Sequence, residues 1–99
     1  MTRADAISLL TRHIDRLKAL GVGELYLYGS VARDQAHADS DVDLLIEPSD
    51  RRFSIFNLIR VQDAVAEILG APAEVHDYGG YRRLPEFRQR VGDDLVRVF

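Results

Sequence analysis

The sequence predicts a two-layer α+β domain, in which a small mixed sheet of three to four strands carries two long helices on one face. Segments with apolar residues at helical spacing alternate along the chain with short segments rich in β-forming residues. The chain has 99 residues, 46% of them hydrophobic. This length suits a single domain, 1–99, with one core and one functional face.

Two helices are predicted. The first covers about residues 3–20, since Thr2 followed by Asp5 is typical of a helix start and Gly21 and Gly23 are typical of its end. The second covers about 54–69 and ends at Gly70. Their apolar residues recur at helical spacing: Ile7, Leu10, Ile14 and Leu17 in the first, and Ile55, Leu58, Ile59, Val65, Ile68 and Leu69 in the second.

Three strands are predicted at 24–28, 41–46 and 73–77, where β-branched, leucine and tyrosine residues cluster. Residues 31–34 fit a single helical turn after the first strand. Tyr78-Gly79-Gly80 is expected to be a break, Pro85 to open a short helix towards Val91, and residues 95–99 to form a short strand or a docked tail.

Alternation in the second strand separates apolar from acidic side chains. Val42, Leu44 and Ile46 face the helices, so Asp41 and Asp43 project from the other face with about 6 to 7 Å of strand between them. That face is expected to be small, partly polar or covered by a partner. Two like charges so placed favour a divalent cation, and Mg²⁺ prefers carboxylate ligands while keeping positions for substrate phosphates.

Gly29-Ser30 lies between the first strand and the predicted helical turn. Glycine lets a phosphate approach the backbone closely, and the following N–H groups and the Ser30 hydroxyl can hold phosphate oxygens. With Asp41 and Asp43 downstream, the pattern favours binding of a nucleoside triphosphate with Mg²⁺.

Charge and composition exclude several classes of protein. The net charge is −3, which argues against a dedicated nucleic-acid binder. Residues 29–50 are acidic, whereas 79–99 are rich in arginine. There is no cysteine and therefore no thiol nucleophile or zinc–thiolate cluster. With no apolar run long enough to cross a membrane and no signal peptide, we expect a soluble, cytoplasmic protein.

The segments 27–33 (Leu-Tyr-Gly-Ser-Val-Ala-Arg) and 40–44 (Ser-Asp-Val-Asp-Leu) together resemble the signature of polymerase-β-type nucleotidyltransferases. The short chain resembles the minimal nucleotidyltransferase (MNT) branch of that superfamily. The resemblance implies the polymerase-β-like fold.

The resemblance also implies site roles. Gly29 and Ser30 match positions that hold nucleotide phosphates, and Asp41 and Asp43 match positions that bind Mg²⁺. Arg33 matches a basic position that reaches phosphate or pairs with a motif carboxylate.

A third carboxylate that binds metal and activates the acceptor hydroxyl is also implied. Glu74 and His76 are expected on the Asp43 face, and Glu74 is preferred over Asp77 for this role. Asp34 departs from the family, in which glycine is common, and adds negative charge near the phosphate site.

The resemblance implies Mg²⁺-dependent transfer of AMP from ATP to a protein hydroxyl, that of a tyrosine in a HEPN ribonuclease toxin. The chain would then be the antitoxin and would form a hetero-oligomer with its toxin. The alternative is an antitoxin that neutralises the toxin by binding alone; transfer to a small molecule or RNA is a third option.

Residues 78–90 mix aromatic residues with arginine and are either a partner surface or a solvated segment. For Arg51-Arg52-Phe53, a helix-entry loop is favoured over a partner or nucleotide contact.

Overall fold

The computed structural model describes residues 1–37, 39–92 and 94–99. The described residues form one four-stranded mixed sheet and six helices. The helices are α1 (Arg3–Thr11), α2 (Ile14–Ala19), α3 (Gly29–Ala32), α4 (Ile55–Leu69), α5 (Tyr78–Arg83) and α6 (Pro85–Val91); the strands are β1 (Val22–Tyr28), β2 (Val42–Pro48), β3 (Ala73–Asp77) and β4 (Val96–Arg97).

The strand order is β3-β2-β1-β4. β1 pairs antiparallel with β2 and β4, and β2 pairs parallel with β3 through the crossover helix α4. The predicted α+β class and mixed sheet are therefore confirmed.

The main core lies between the sheet and the helices α1, α2 and α4. Val42, Leu44 and Ile46 of β2 point into it, as the alternation predicts, and all three are buried. Val61 and Val65 of α4 are fully buried against them. Burial of these apolar side chains is the main stabilising term that fixes which face of β2 carries Asp43.

The first helix differs from the prediction, because it is divided into α1 and α2. His13 between them has non-helical dihedral angles, φ −119° and ψ 25°. The Thr11 hydroxyl donates a 2.8 Å hydrogen bond to the Ile7 carbonyl, a local side-chain bond that often bends helices. Leu10 and Leu17 are both fully buried in the same core, so the apolar spacing continues across the bend and conceals it in the sequence.

Part of the second face of the sheet is covered by the chain itself. Tyr28, Leu45 and Val91 form a second buried cluster, with Tyr26 and Tyr78 packed against it. The Tyr26 and Tyr78 rings are 5.0 Å apart. The predicted break at 78–80 is wrong, since Tyr78 begins α5; the helix from Pro85 to Val91 is confirmed as α6.

The ends of α4 follow their sequence signals. Ser54 and Asn57 form a capping box at its start, and Gly70 ends it in the left-handed conformation with φ 64°. Within the described residues, each helix is too short or too polar to cross a lipid bilayer.

Candidate active site

The predicted phosphate-binding glycine and the second aspartate of the Asp-x-Asp pair are in direct contact. Gly29 has φ +76°, and a Cβ atom at this position would collide with the Asp43 carboxylate. That same Cβ would be only 3.2 Å from Asp43 Cγ. Glycine is therefore required twice, once for the left-handed backbone and once because the carboxylate occupies the space.

Strand register places Asp43 between two neighbours on the same face. Asp43 pairs with Tyr28 of β1 on one side and with Glu74 of β3 on the other. Directly paired residues of adjacent strands have their side chains on the same face of a sheet. Asp43 and Glu74 are therefore cross-strand neighbours, beside the start of α3.

The alternative third carboxylate, Asp77, lies elsewhere. Asp77 pairs with Ile46, whose side chain points into the main core, so Asp77 is on the face opposite to Asp43. Its Oδ1 accepts a 2.6 Å hydrogen bond from the Gly79 backbone N–H in the first turn of α5. The geometry therefore favours Glu74 over Asp77 as the carboxylate nearest to Asp43.

His76 lies beside Glu74. Its Nε2 atom is 3.2 Å from Glu74 Oε1 and is buried, although about a third of the side chain is exposed. His76 pairs with the fully buried Leu45 on the same face of the sheet. The predicted neighbourhood of Glu74 and His76 is thus present.

The Asp41 and Asp43 carboxylates supply oxygen atoms, the type of ligand that Mg²⁺ prefers. Asp41, an exposed residue, immediately precedes β2, and Asp43 follows two positions later, so both carboxylates belong to one end of the strand. Among the described residues, no three histidine, cysteine or acidic side chains form a ready metal-binding cluster. Mg²⁺ takes one or two protein carboxylates and completes its coordination with water and phosphate, so the residues fit this ion together with a nucleotide.

Ser30 and Arg33 lie on and just after α3. Ser30 is partly exposed at the helix start, and its backbone carbonyl accepts a 2.8 Å hydrogen bond from Gln35. Arg33 Nη1 donates to Asp94 Oδ2 at 3.0 Å, and Arg33 Nε donates to Gln35 Oε1 at 3.2 Å. Arg33 therefore ties this loop to the C-terminal segment rather than to a motif carboxylate.

Asp34 has a structural use that the sequence did not reveal. Its φ is 56°, and it is the one non-glycine residue with positive φ among those described. Glycine adopts this backbone conformation without steric cost, which gives a physical reason to find glycine at this position. Its Oδ1 accepts a 2.7 Å hydrogen bond from the Arg3 backbone N–H at the start of α1. The Asp34 carboxylate is thus engaged with α1.

Two further positioning residues carried no motif in the sequence. Gln62 of α4 accepts a 3.1 Å hydrogen bond from the Val75 N–H through Oε1, at the residue between Glu74 and His76. Asp94 holds Arg33. Both act over long sequence separations, which residue patterns do not report.

The predicted partner segments lie in different places. Residues 51–53 follow β2 at the end opposite to Asp41; Arg51 and Arg52 are exposed, whereas Phe53 packs against the main core. In the 78–90 segment, Tyr78 packs on Tyr26 and Leu84 is 56% exposed. The side chains of Tyr81, Arg82 and Phe87 lie outside the described part of the chain.

One ionisable group near this face has a clear pKa shift. Burial, together with the negative charge of Glu24, raises the pKa of Tyr26 above that of an ordinary phenol, while Arg97 opposes the change. The Tyr26 hydroxyl is therefore neutral at physiological pH. In the sheet, Tyr26 pairs with Leu45, which lies two residues after Asp43 in β2.

Two protein relatives resemble the chain over most of its length. A provisionally assigned protein adenylyltransferase of Methanocaldococcus jannaschii is 30% identical over 78 residues, covering 79% of this chain and 81% of the relative. The protein adenylyltransferase MntA of Thermococcus cleftensis is 32% identical over 71 residues, covering 71% of each chain.

Solved structures resemble the fold. A provisionally assigned minimal nucleotidyltransferase matches with TM-score 0.70 and 25% identity, over 97% of this chain and 95% of the other. A toxin–antitoxin complex with AMP-PNP matches with TM-score 0.65 and 19% identity, over 100% and 73%. An MNT antitoxin in complex with a tri-AMPylated Shewanella oneidensis HEPN toxin matches with TM-score 0.60 and 14% identity, over 100% and 72%.

The family model that matches the chain agrees with the geometry of the site. It is the nucleotidyltransferase domain, and it covers residues 10–98, which include Gly29, both aspartates and Glu74. The fold, the contact between Gly29 and Asp43, and the match over nearly the whole chain lead to one conclusion. The chain belongs to the nucleotidyltransferase domain family.

Proposed function

We propose that the chain transfers AMP from ATP to a hydroxyl group of a partner protein, a tyrosine of a HEPN-domain toxin, and so acts as its antitoxin. The observation that carries the proposal is the juxtaposition of Gly29, Asp43 and Glu74 on one face of the sheet. It puts a backbone that phosphate can approach beside carboxylates that can hold a cation.

The comparisons support the class of reaction and partner. The relatives that cover most of the chain carry the name protein adenylyltransferase. Proteins with the same fold occur in complexes with a HEPN toxin bearing AMP groups and with an ATP analogue. By this proposal the working form is a hetero-oligomer with the toxin.

The proposed reaction is an in-line displacement at the α-phosphorus. The acceptor oxygen forms a bond to the α-phosphorus, the bond to the oxygen that bridges to the β-phosphorus breaks, and pyrophosphate leaves. Gly29 and Ser30 hold the phosphates through backbone N–H groups and the Ser30 hydroxyl, and Glu74 accepts the proton of the acceptor hydroxyl. Asp41 and Asp43 would hold Mg²⁺, which would stabilise developing negative charge when bound.

Neutralisation of the toxin by binding alone is the second candidate. The observation that favours it is that proteins with the same fold occur in complex with a HEPN toxin, since a stable complex by itself masks a toxin. A protein that masks its partner needs the fold and a complementary surface but no metal.

The two candidates differ in what happens when the aspartates are neutralised. The chain and its Asp41→Asn/Asp43→Asn variant would each be incubated with the purified toxin, Mg²⁺ and labelled ATP, and expressed with the toxin in cells. The proposal expects label on the toxin and rescue of growth with the native chain only. Full rescue of growth by the double variant would favour binding alone.

A further inference from the structure

The outward face of α4 carries apolar side chains near its start, where a surface helix normally carries polar ones. Ile55, Phe56 and Ile59 are 62%, 71% and 53% exposed. Residues three and four positions apart are neighbours on a helix, so Ile59 adjoins both of the others and the three form one surface, the α4 patch. Single exposed apolar residues are ordinary, whereas a contiguous group is typical of an interaction surface.

The α4 patch is not needed to hold α4 in the fold. The helix packs on the sheet through other residues, among them Val61 and Val65, which are fully buried. Its start is fixed by the capping box between Ser54 and Asn57. The apolar side chains of the patch therefore remain in water unless another molecule covers them.

Arginine side chains surround the α4 patch. Arg51 and Arg52 are exposed just before the helix, and Arg60 is exposed beside Ile59. Within residues 1–37, 39–92 and 94–99, the side chains of these three arginines form no ion pair or hydrogen bond. Their charges are thus available to a molecule that covers the patch.

A cavity of about 270 Å³ adjoins the α4 patch and adds to its positive charge. It is lined by Asn57 of the first turn of α4, together with Lys18 and Arg52. Asp50 also lines it, but Asp50 Oδ1 already accepts a 2.7 Å hydrogen bond from the Arg52 backbone N–H. The cavity is smaller than the roughly 300–1,000 Å³ of small-molecule sites, and its size suits one acidic side chain of a partner.

The sign of the charge distinguishes between possible occupants. The patch and the cavity carry four basic side chains and two acidic ones, although the chain as a whole has a net charge of −3. They are Lys18, Arg51, Arg52 and Arg60, with Asp50 and Asp63. A second copy docked on the same surface would bring an excess of like charges together, whereas a partner with carboxylates around an apolar centre would pair with them.

We propose that the α4 patch is the docking surface for the toxin, which covers it with apolar side chains flanked by carboxylates and inserts one carboxylate beside Arg52. The inference rests on the proposed function for the identity of the partner. Because α4 packs on the face of the sheet opposite to Asp43, a partner held here leaves the predicted nucleotide site open. Docking and AMP transfer are therefore separable.

The first test measures binding of the purified toxin to the native chain and to Phe56→Ala by calorimetry without ATP. Truncating a central aromatic residue of an interface typically weakens binding by about 30-fold or more, and we expect this loss in Phe56→Ala. The melting temperature should not change, because the side chain is exposed. Equal Kd values for Phe56→Ala and the native chain would overturn the inference.

The second test compares the α4 patch with the surface of α6. Arg60→Glu should slow association with the toxin and reduce the dependence of Kd on salt. Leu84→Ala and Arg88→Glu are matched changes at exposed residues of the 78–90 segment, and the inference expects both to keep the native Kd. Weaker binding in this pair, with native binding in Phe56→Ala and Arg60→Glu, would place the toxin on α6 and overturn the inference.

Further measurements separate the inference from the proposed function. Sedimentation of the chain alone should show a monomer, and a dimer that is lost in Phe56→Ala would assign the patch to a second copy and overturn the inference. Failure of the toxin to bind the native chain would overturn it as well. A toxin that binds through the patch but gains no AMP would contradict the proposed function alone. Where AMP is transferred, Phe56→Ala should raise the KM for the toxin and leave the Kd for ATP unchanged.

Discussion

Replacing Gly29 with alanine tests whether the glycine is required by its contact with Asp43. The φ of +76° costs an alanine about 1–3 kcal/mol, partly offset by about 0.4–1 kcal/mol from the reduced freedom of the unfolded chain. The new Cβ also meets the Asp43 carboxylate, and overpacking of this kind costs about 1–3 kcal/mol more.

Gly70 provides a matched control. It also has positive φ, +64°, but a Cβ there has nothing within 4 Å. Gly70→Ala therefore carries the backbone cost without the collision. The difference between the two variants isolates the displacement of Asp43, which we expect to be about 1–3 kcal/mol.

The assay combines thermal unfolding with AMP transfer to the toxin. At about 4–8 °C per kcal/mol for a domain of this size, Gly29→Ala should melt at least about 4 °C below Gly70→Ala. It should also lose transfer activity, while Gly70→Ala keeps it. Equal melting temperatures together with retained activity in Gly29→Ala would refute the reasoning.

Three further predictions concern the carboxylates and the loop after β1. Glu74→Gln should lower AMP transfer by about 100-fold or more, as expected for loss of a general base, whereas Asp77→Asn on the opposite face should keep it; the reverse ranking would contradict the assignment. Ser30→Ala should weaken ATP binding by about tenfold in calorimetry with an unchanged circular dichroism spectrum, and unchanged affinity would show that the hydroxyl does not hold phosphate. Asp34→Asn keeps the acceptor for the Arg3 N–H, so ATP affinity should not change; tighter binding would mean that the Asp34 charge reaches the phosphates.

Local patterns predicted the part of the site that lies on regular strands. Alternation in β2 identified the buried face and hence the direction of Asp43, and alternation in β3 placed Glu74 and His76 with it. This succeeded because side chains in a strand point to alternate faces, and burial of one face fixes the other.

The parts that were missed depend on contacts between distant segments. Tyr78-Gly79-Gly80 has poor helix propensity, yet α5 begins there, with Asp77 accepting from the Gly79 N–H and Tyr78 stacked near Tyr26. The resulting cover over Leu45 could not be inferred from strand patterns. The link from Asp34 to Arg3 spans 31 residues and is equally invisible to local rules.

The measurement that tests the central claim most directly is the position of the transferred label. The native chain, Mg²⁺ and purified toxin would be incubated in parallel with ATP labelled at the α- or the γ-phosphate. Transfer of AMP predicts that the toxin gains the α-label and that γ-label leaves as pyrophosphate. Toxin that gains the γ-label, or neither label while still being neutralised, would contradict the account.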